Sequence, residues 1–379
     1  MYIVIAPDSF KECKSATKVA LAISEGIKRI LPEAEIICIP MADGGEGTVE
    51  ALIMATAGRI ITAESVDALN RPIKSFYGVL GDGKTAVIEM AAASGIELLR
   101  PEERNPLLTS TFGTGLLLKA AMEDGFTKII MGIGGSATND GGAGMAQALG
   151  FGLLDKNGHP IQCGGGSLNK LHTINRSTVH RLLEKVKITI ASDVRNPLLG
   201  PSGATRIYGP QKGATPEMLE ILEANLGHFS QILHREFGVN YGELPGAGAA
   251  GGLGAGLMAF CGAEMGSGFE LIKDLTNLEE HISKASLVFT AEGKIDLQTA
   301  YGKTVSGVAQ LAKKYHVPAI ALAAIVAEDL TTLYDQGISS VFAIGDHPMS
   351  SEESKAHAAE LLAATSERIM RVITECKRI

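Results

Sequence analysis

The sequence has no tryptophan, and its aromatic share is only 5%. It also lacks basic excess: 34 Lys and Arg stand against 42 Asp and Glu, a formal charge of −8. Nucleic-acid binders need basic stripes and stacking rings, so a chain poor in both is not expected to be one. No apolar run approaches the ~20 residues of a membrane span, and MYIVIAPDSF has no basic signal-peptide start. It reads instead as a buried strand. The five cysteines (Cys13, Cys38, Cys163, Cys261, Cys376) are scattered and form no C-x-x-C pair, which fits reduced thiols in a cytoplasmic protein. The histidines show no ligand spacing, so no zinc site is expected. No G-x-S-x-G elbow marks a hydrolase.

Glycine is abundant instead, at 45 of 379 residues. There is no Gly-X-Y period, which excludes collagen. A hydrophobic fraction of 45% excludes a disordered chain and provides for a large core. The length suggests two domains. So many glycines in a globular chain imply backbone that turns tightly or approaches something closely.

The first segment reads strand, turn, helix, strand. YIVIA is a β-branched run, SATKVALAISEGIKRIL has helical apolar spacing with Ser15 as N-cap, and EIICIPM is a second strand. The C-terminal part repeats that grammar: SLVFTAEG, the helix GKTVSGVAQLAKKYH, the strand VPAIALAAIV, a short helix, SSVFAIGD, and a long amphipathic helix capped by Ser350 or Ser351. Alternating strands and helices imply a parallel doubly wound sheet. The middle differs, because RPIKSFYGVLGDGKTAVIEMA reads as an antiparallel hairpin turning at Asp82-Gly83. The expected architecture is α/β: a domain of residues 1–62 plus 285–379, with a mixed α/β domain of residues 63–284 inserted.

GVLGDGKT, residues 78–85, satisfies a P-loop pattern formally, but strand-like TAVIEMA follows where a helix is required. Gly246, Gly248 and Gly251 match G-x-G-x-x-G without a preceding strand, so a dinucleotide site is weakly supported.

Four other segments fall at strand ends, where open α/β sheets bind ligands. APDSFKECKS places Asp8, Ser9 and Lys11 ahead of a helix, although Asp8 and Ser9 are also ordinary turn formers. PMADGGEGTVEA sets Asp43 and Glu46 among Gly44, Gly45 and Gly47, with Thr48 as a candidate cap. This suits backbone that approaches an anion beside an acid; a simple turn needs only one such glycine. In IIMGIGGSATNDGG, Gly134, Gly135, Ser136, Thr138, Asn139 and Asp140 precede a small-residue helix. A glycine turn of this kind can cradle phosphate, or can serve only close helix packing. FTAEGKIDLQTAYGKT carries Glu292, Lys294, Asp296 and Lys303, a charge-dense strand end. Asp193, Arg195 and Asn196 follow the strand KITI, and YGPQKGAT offers Lys212 in a rigid frame.

These strings, in the order APDSFKE, MADGGEGT, IGGSATNDGG, SDVRNPLLGPSGAT, YGPQKGA, PGAGAAGGLG and EGKIDLQTAYGKT, resemble the bacterial glycerate kinase family along essentially the whole chain. The resemblance implies a flavodoxin-like domain with an inserted domain like those of restriction endonucleases. It also implies phosphorylation of D-glycerate by ATP and Mg2+, with 2-phosphoglycerate as the product. The sequence departs from the family pattern at Ala291, where glycine is usual, at Val305, where proline is usual, and at AAIVAED after VPAIAL.

On that reading the substrate carboxylate needs a cation, for which Lys11, Arg71 or Arg195 could serve, with Asp8, Ser9 and Asn196 beside it. Asp43 first, and Asp193 second, would orient the attacking hydroxyl and take its proton. Gly44, Gly45, Gly47 and residues 134–140 would hold phosphate, with Lys212 or Lys303 neutralising charge. Glu292 and Asp296 suit Mg2+. The substrates are expected to meet in a cleft between the domains. A nicotinamide-dependent hydroxyacid oxidoreductase and a non-catalytic hydroxyacid-binding module remain rival functions, and monomer or homodimer is open.

Overall fold

The computed structural model describes residues 1–10, 13–42, 44–45, 47–297, 299 and 304–376. The first arm gives β1 (Tyr2–Ile5), a helix at Ala16–Lys28, β2 (Glu35–Cys38) and a helix at Thr48–Thr56. The middle contributes β3 (Arg59–Val66), β4 (Pro72–Val79), β5 (Thr85–Glu89), β6 (Lys128–Gly132), β7 (Gly152–Leu154), β8 (Thr173–Asn175), β9 (Lys187–Ala191) and β10 (Glu264–Gly266). The last arm adds β11 (Leu287–Ile295), β12 (Ala319–Val326) and β13 (Ser340–Ala343).

The outer arms share one all-parallel sheet, ordered β13-β12-β11-β1-β2. Chain start and chain end meet directly in it, with Ile3 opposite Leu287. Numbered within the sheet, the order is 2-1-3-4-5, the flavodoxin-like arrangement. Ser15 caps the first helix as its sequence predicts, its side chain accepting the Lys18 amide. The i, i+4 series Val19, Ile23, Ile27 then faces the core with Ile3, Ile5 and Phe289. The helix at Ala358–Cys376 completes this layer. A β-carbon at Gly26 would stand 2.1 Å from the Ala363 carbonyl oxygen, so only glycine lets the two backbones approach this closely.

The second sheet is mixed, ordered β10-β9-β6-β5-β4-β3. β5, β6, β9 and β10 run parallel, while β3 and β4 extend it antiparallel. The expected hairpin is present. Asp82 accepts the Lys84 and Thr85 amides, Gly83 turns at φ +66°, and a strand follows rather than a helix. Apolar side chains including Tyr77, Ile88, Met131, Ile190 and Phe260 fill this unit's core.

The chain divides into two compact units: Met1–Ala42, Glu50–Ala57 and Phe269–Ile379 in one, Asp43–Val49 and Gly58–Gly268 in the other. Three local expectations change. β3 was not anticipated, because its pattern becomes legible only opposite β4. β11 continues to Ile295, paired residue by residue with β12, so the charges of EGKI stand on a strand and not in a loop beyond it. The C-terminal helix, capped by Ser350 as expected, breaks at His357 into Ser351–Ala356 and Ala358–Cys376.

Candidate functional site

Two groups of strand-end residues form, one in each unit. In the mixed-sheet unit, the glycine loop before Thr48 rests on the carboxyl ends of β6 and β9. The Gly134 amide donates to the Gly44 carbonyl at 2.9 Å. A β-carbon at Gly44 would lie 1.8 Å from the Ala191 carbonyl oxygen, and one at Gly134 would lie 2.5 Å from the Gly45 Cα. Backbone seated on backbone requires these glycines before any ligand is considered.

The helix Thr48–Thr56 rises from this loop. Thr48 was expected to cap it, but its hydroxyl donates to the Gly45 carbonyl instead. The acceptor comes from another strand: Glu89, which ends β5, takes the Val49 amide at 2.5 Å on a carboxylate that is 5% exposed. A carboxylate is favourable at a helix N-terminus, where the backbone dipoles leave partial positive charge. Glu89 escaped the sequence reading. Its signal was one acid closing a strand after the apolar run Ala86, Val87 and Ile88.

Asp193 and Arg195 follow β9, on the same sheet edge as Gly44 and Glu89. Asn196 is engaged in its own loop, donating to the Ser202 carbonyl and accepting from the Tyr208 hydroxyl at 2.8 Å. Arg71 also lies at this edge, because β3 runs parallel to β5 through two antiparallel pairings. Its guanidinium is held by Asp67 at 2.5 Å and Glu103 at 2.7 Å. The two arginines Arg100 and Arg71 keep the Glu103 carboxyl down at about 2.

The segment 136–140 faces inward. Asp140 is fully buried and accepts the Thr111 amide and hydroxyl together with the amides of Gly142 and Gly144. Burial pushes its carboxyl up, and those hydrogen bonds oppose the shift. Asn139 donates to the Thr205 hydroxyl at 3.0 Å. Lys212, 1% exposed, donates to the Thr138 carbonyl at 2.7 Å. Burial lowers its ammonium to about 7, with Asp140 pulling the other way. The Thr138 hydroxyl and the Asn139 side-chain oxygen are buried without a hydrogen-bond partner among the described residues. Ser136 is buried too. Gly135 stands at φ +72°, and its carbonyl accepts the Ile96 amide. The neutral stretch 246–256 packs against this segment: a β-carbon at Gly251 would sit 2.0 Å from the Thr138 carbonyl oxygen.

The flavodoxin-order unit gathers Asp8, Ser9, Glu292, Lys294 and Asp296 at the carboxyl ends of β1 and β11. The Asp8 amide donates to the Ala291 carbonyl, and its carboxylate accepts the Ser9 amide. Lys294 pairs with Asp296 at 2.8 Å. Glu292 and Lys294 line a cleft of about 580 Å3. Among the described residues no group of three His, Cys, Asp or Glu could hold a metal. Mg2+ commonly takes only one or two carboxylates plus phosphate and water; Glu292 on β11 and Asp296 just beyond it are carboxylates at this strand end, Asp296 already paired with Lys294. Lys11, Asp43 and Lys303 lie outside the described residues, as do Glu46, Gln298 and Gly302.

The glycerate kinase family model matches residues 3–374, which takes in both strand-end groups. The chain belongs to the glycerate kinase family. It is 52% identical over 344 residues to "Glycerate 2-kinase" of Escherichia coli (strain K12), covering 91% of this chain and 90% of that protein. It is 47% identical to "Glycerate kinase" of Bacillus subtilis (strain 168), with 97% of each covered. A solved chain described as "putative glycerate kinase 2 from Salmonella typhimurium LT2" superposes with a TM-score of 0.88 at 44% identity over 100% of both chains. In this member of the glycerate kinase family the departures Ala291 and Val305 are buried packing positions, on β11 and in the helix Thr304–Lys314. The charged side chains of β11 are retained beside them.

Proposed function

We propose that this chain transfers the γ-phosphoryl group of ATP to the 2-hydroxyl of D-glycerate, giving 2-phosphoglycerate and ADP. The observation that carries the reading is the family match from residue 3 to residue 374. In it, an acid at the glycine loop orients the hydroxyl and accepts its proton, with Asp43 first and Asp193 second. The attacking oxygen must be in line with the leaving one, so positioning and charge stabilisation do most of the work. Arg195 and Lys11 are the cations proposed for the substrate carboxylate; a guanidinium can meet it bidentately. Arg71 is the further candidate, its Nε and Nη1 engaged by Asp67 and Glu103. Glu292 and Asp296 would hold Mg2+, which when bound neutralises charge on the ATP phosphate oxygens. No helix is long and apolar enough to cross a membrane among the described residues, and we place the reaction in the cytoplasm.

The test is ADP release with D-glycerate, L-glycerate and glycerol as acceptors. Asp43→Asn is expected to lower turnover by roughly 100-fold or more while leaving the fold intact, the scale of a lost general base. Near-normal turnover in that variant moves the role to Asp193.

A further inference from the structure

The cleft of about 580 Å3 is built by the carboxyl ends of β1, β11, β12 and β13. That volume lies within the ~300–1,000 Å3 usual for small-molecule sites. It spans the β1/β11 junction, where strand order reverses and open parallel sheets take ligands. Phe10, Ile325 and Met349 give it apolar walls, while Ser350, Ser354 and Lys355 supply hydroxyls and a cation. Ile325 is 56% exposed on the strand that pairs with β11.

D-Glycerate is a poor match for this lining. It has three carbons, each bearing oxygen, and offers no apolar face. A nucleoside matches better, since its base has flat apolar faces with a polar edge and its ribose carries hydroxyls. Glu292 and Lys294 line the same cleft, so a phosphate chain leaving it would pass the charged end of β11.

We propose that this cleft is the nucleoside subsite: the base of ATP lies against Phe10, Ile325 and Met349, and its ribose faces the serines. The choice of ATP rests on the kinase reading, whereas the cleft's preference for a nucleoside over glycerate does not.

Cys13 lines the cleft and reports on it. Burial pushes the thiols of Cys38, Cys163 and Cys261 up, which slows their alkylation. In full-length Cys376→Ser protein, iodoacetamide labelling of Cys13 is followed by peptide mass spectrometry. ATP, ADP and adenosine are each expected to slow labelling about fivefold or more, as a ligand that covers the thiol would at concentrations well above its Kd. D-Glycerate should leave the rate unchanged. Ile325→Arg, at an exposed position that should tolerate the change, is expected to raise KM for ATP about tenfold or more with KM for D-glycerate unaltered. Undiminished labelling at ATP concentrations that saturate turnover overturns the subsite, as does an unchanged KM for ATP in Ile325→Arg or shielding by D-glycerate alone. A chain that releases no ADP yet has Cys13 shielded by adenosine keeps the subsite and loses the kinase reading.

Discussion

Lys212 is a fully buried lysine whose Nζ donates to the Thr138 carbonyl. Its pKa falls from 10.5 to about 7 through loss of hydration. The sign follows from linkage. Between about 7 and 10.5 the unfolded chain binds a proton that the folded chain does not, so stability rises with pH across that window. Thermal unfolding at several pH values should show this rise, and Lys212→Met should flatten it. Parallel curves for the two proteins would mean that Lys212 stays charged beside Asp140. Glu89 is the second residue to test. Glu89→Ala leaves the Val49 amide buried and unmet, at about 1–3 kcal/mol, whereas Glu89→Gln keeps an acceptor and should lose less. Urea titration of both variants measures the difference. Neither residue's environment was legible locally. The loop that buries Lys212 lies 74 residues away in sequence, and the helix that Glu89 caps lies 40 away.

At the scale of elements, the glycines divide by what surrounds them. Gly83 has open space around its missing β-carbon and only its φ of +66° to defend. Gly83→Ala should cost roughly 1–2 kcal/mol of stability, the left-handed penalty, with kinase activity unchanged. Lys84→Ala should also leave activity intact, contrary to a P-loop at 78–85. Gly134 instead supports the glycine loop, so Gly134→Ala must displace the Gly45 backbone. It is expected to lower turnover by about tenfold or more even where circular dichroism reports a native fold. Equal activities of Gly83→Ala and Gly134→Ala would contradict this division. The elements that carry their own punctuation were readable: the Ser15 and Ser350 caps, the Asp82-Gly83 turn and the apolar parallel strands. The unreadable ones depend on partners, as β3 depends on β4 and the length of β11 on β12. The motif glycines at 44 and 134 looked like anion cradles. The structure adds that they first let two loops lie in contact, and that the Gly134 amide is already used.

At the scale of the molecule, the two chain ends build one sheet, and the charges of β11 reach its carboxyl edge beside Asp8 and Ser9. The glycine loop, Glu89 and Asp193 occupy the corresponding edge of the mixed sheet. Composition foretold little of this; the ordered motif strings carried the rest. The central claim is phosphoryl transfer from ATP to D-glycerate. It is tested most directly by following the full-length protein with ATP, Mg2+ and D-glycerate by phosphorus NMR. The expected result is a monoester signal at carbon 2 that grows in step with ADP and is absent with glycerol. No D-glycerate-dependent phosphoester, from protein shown to be folded, would contradict the account.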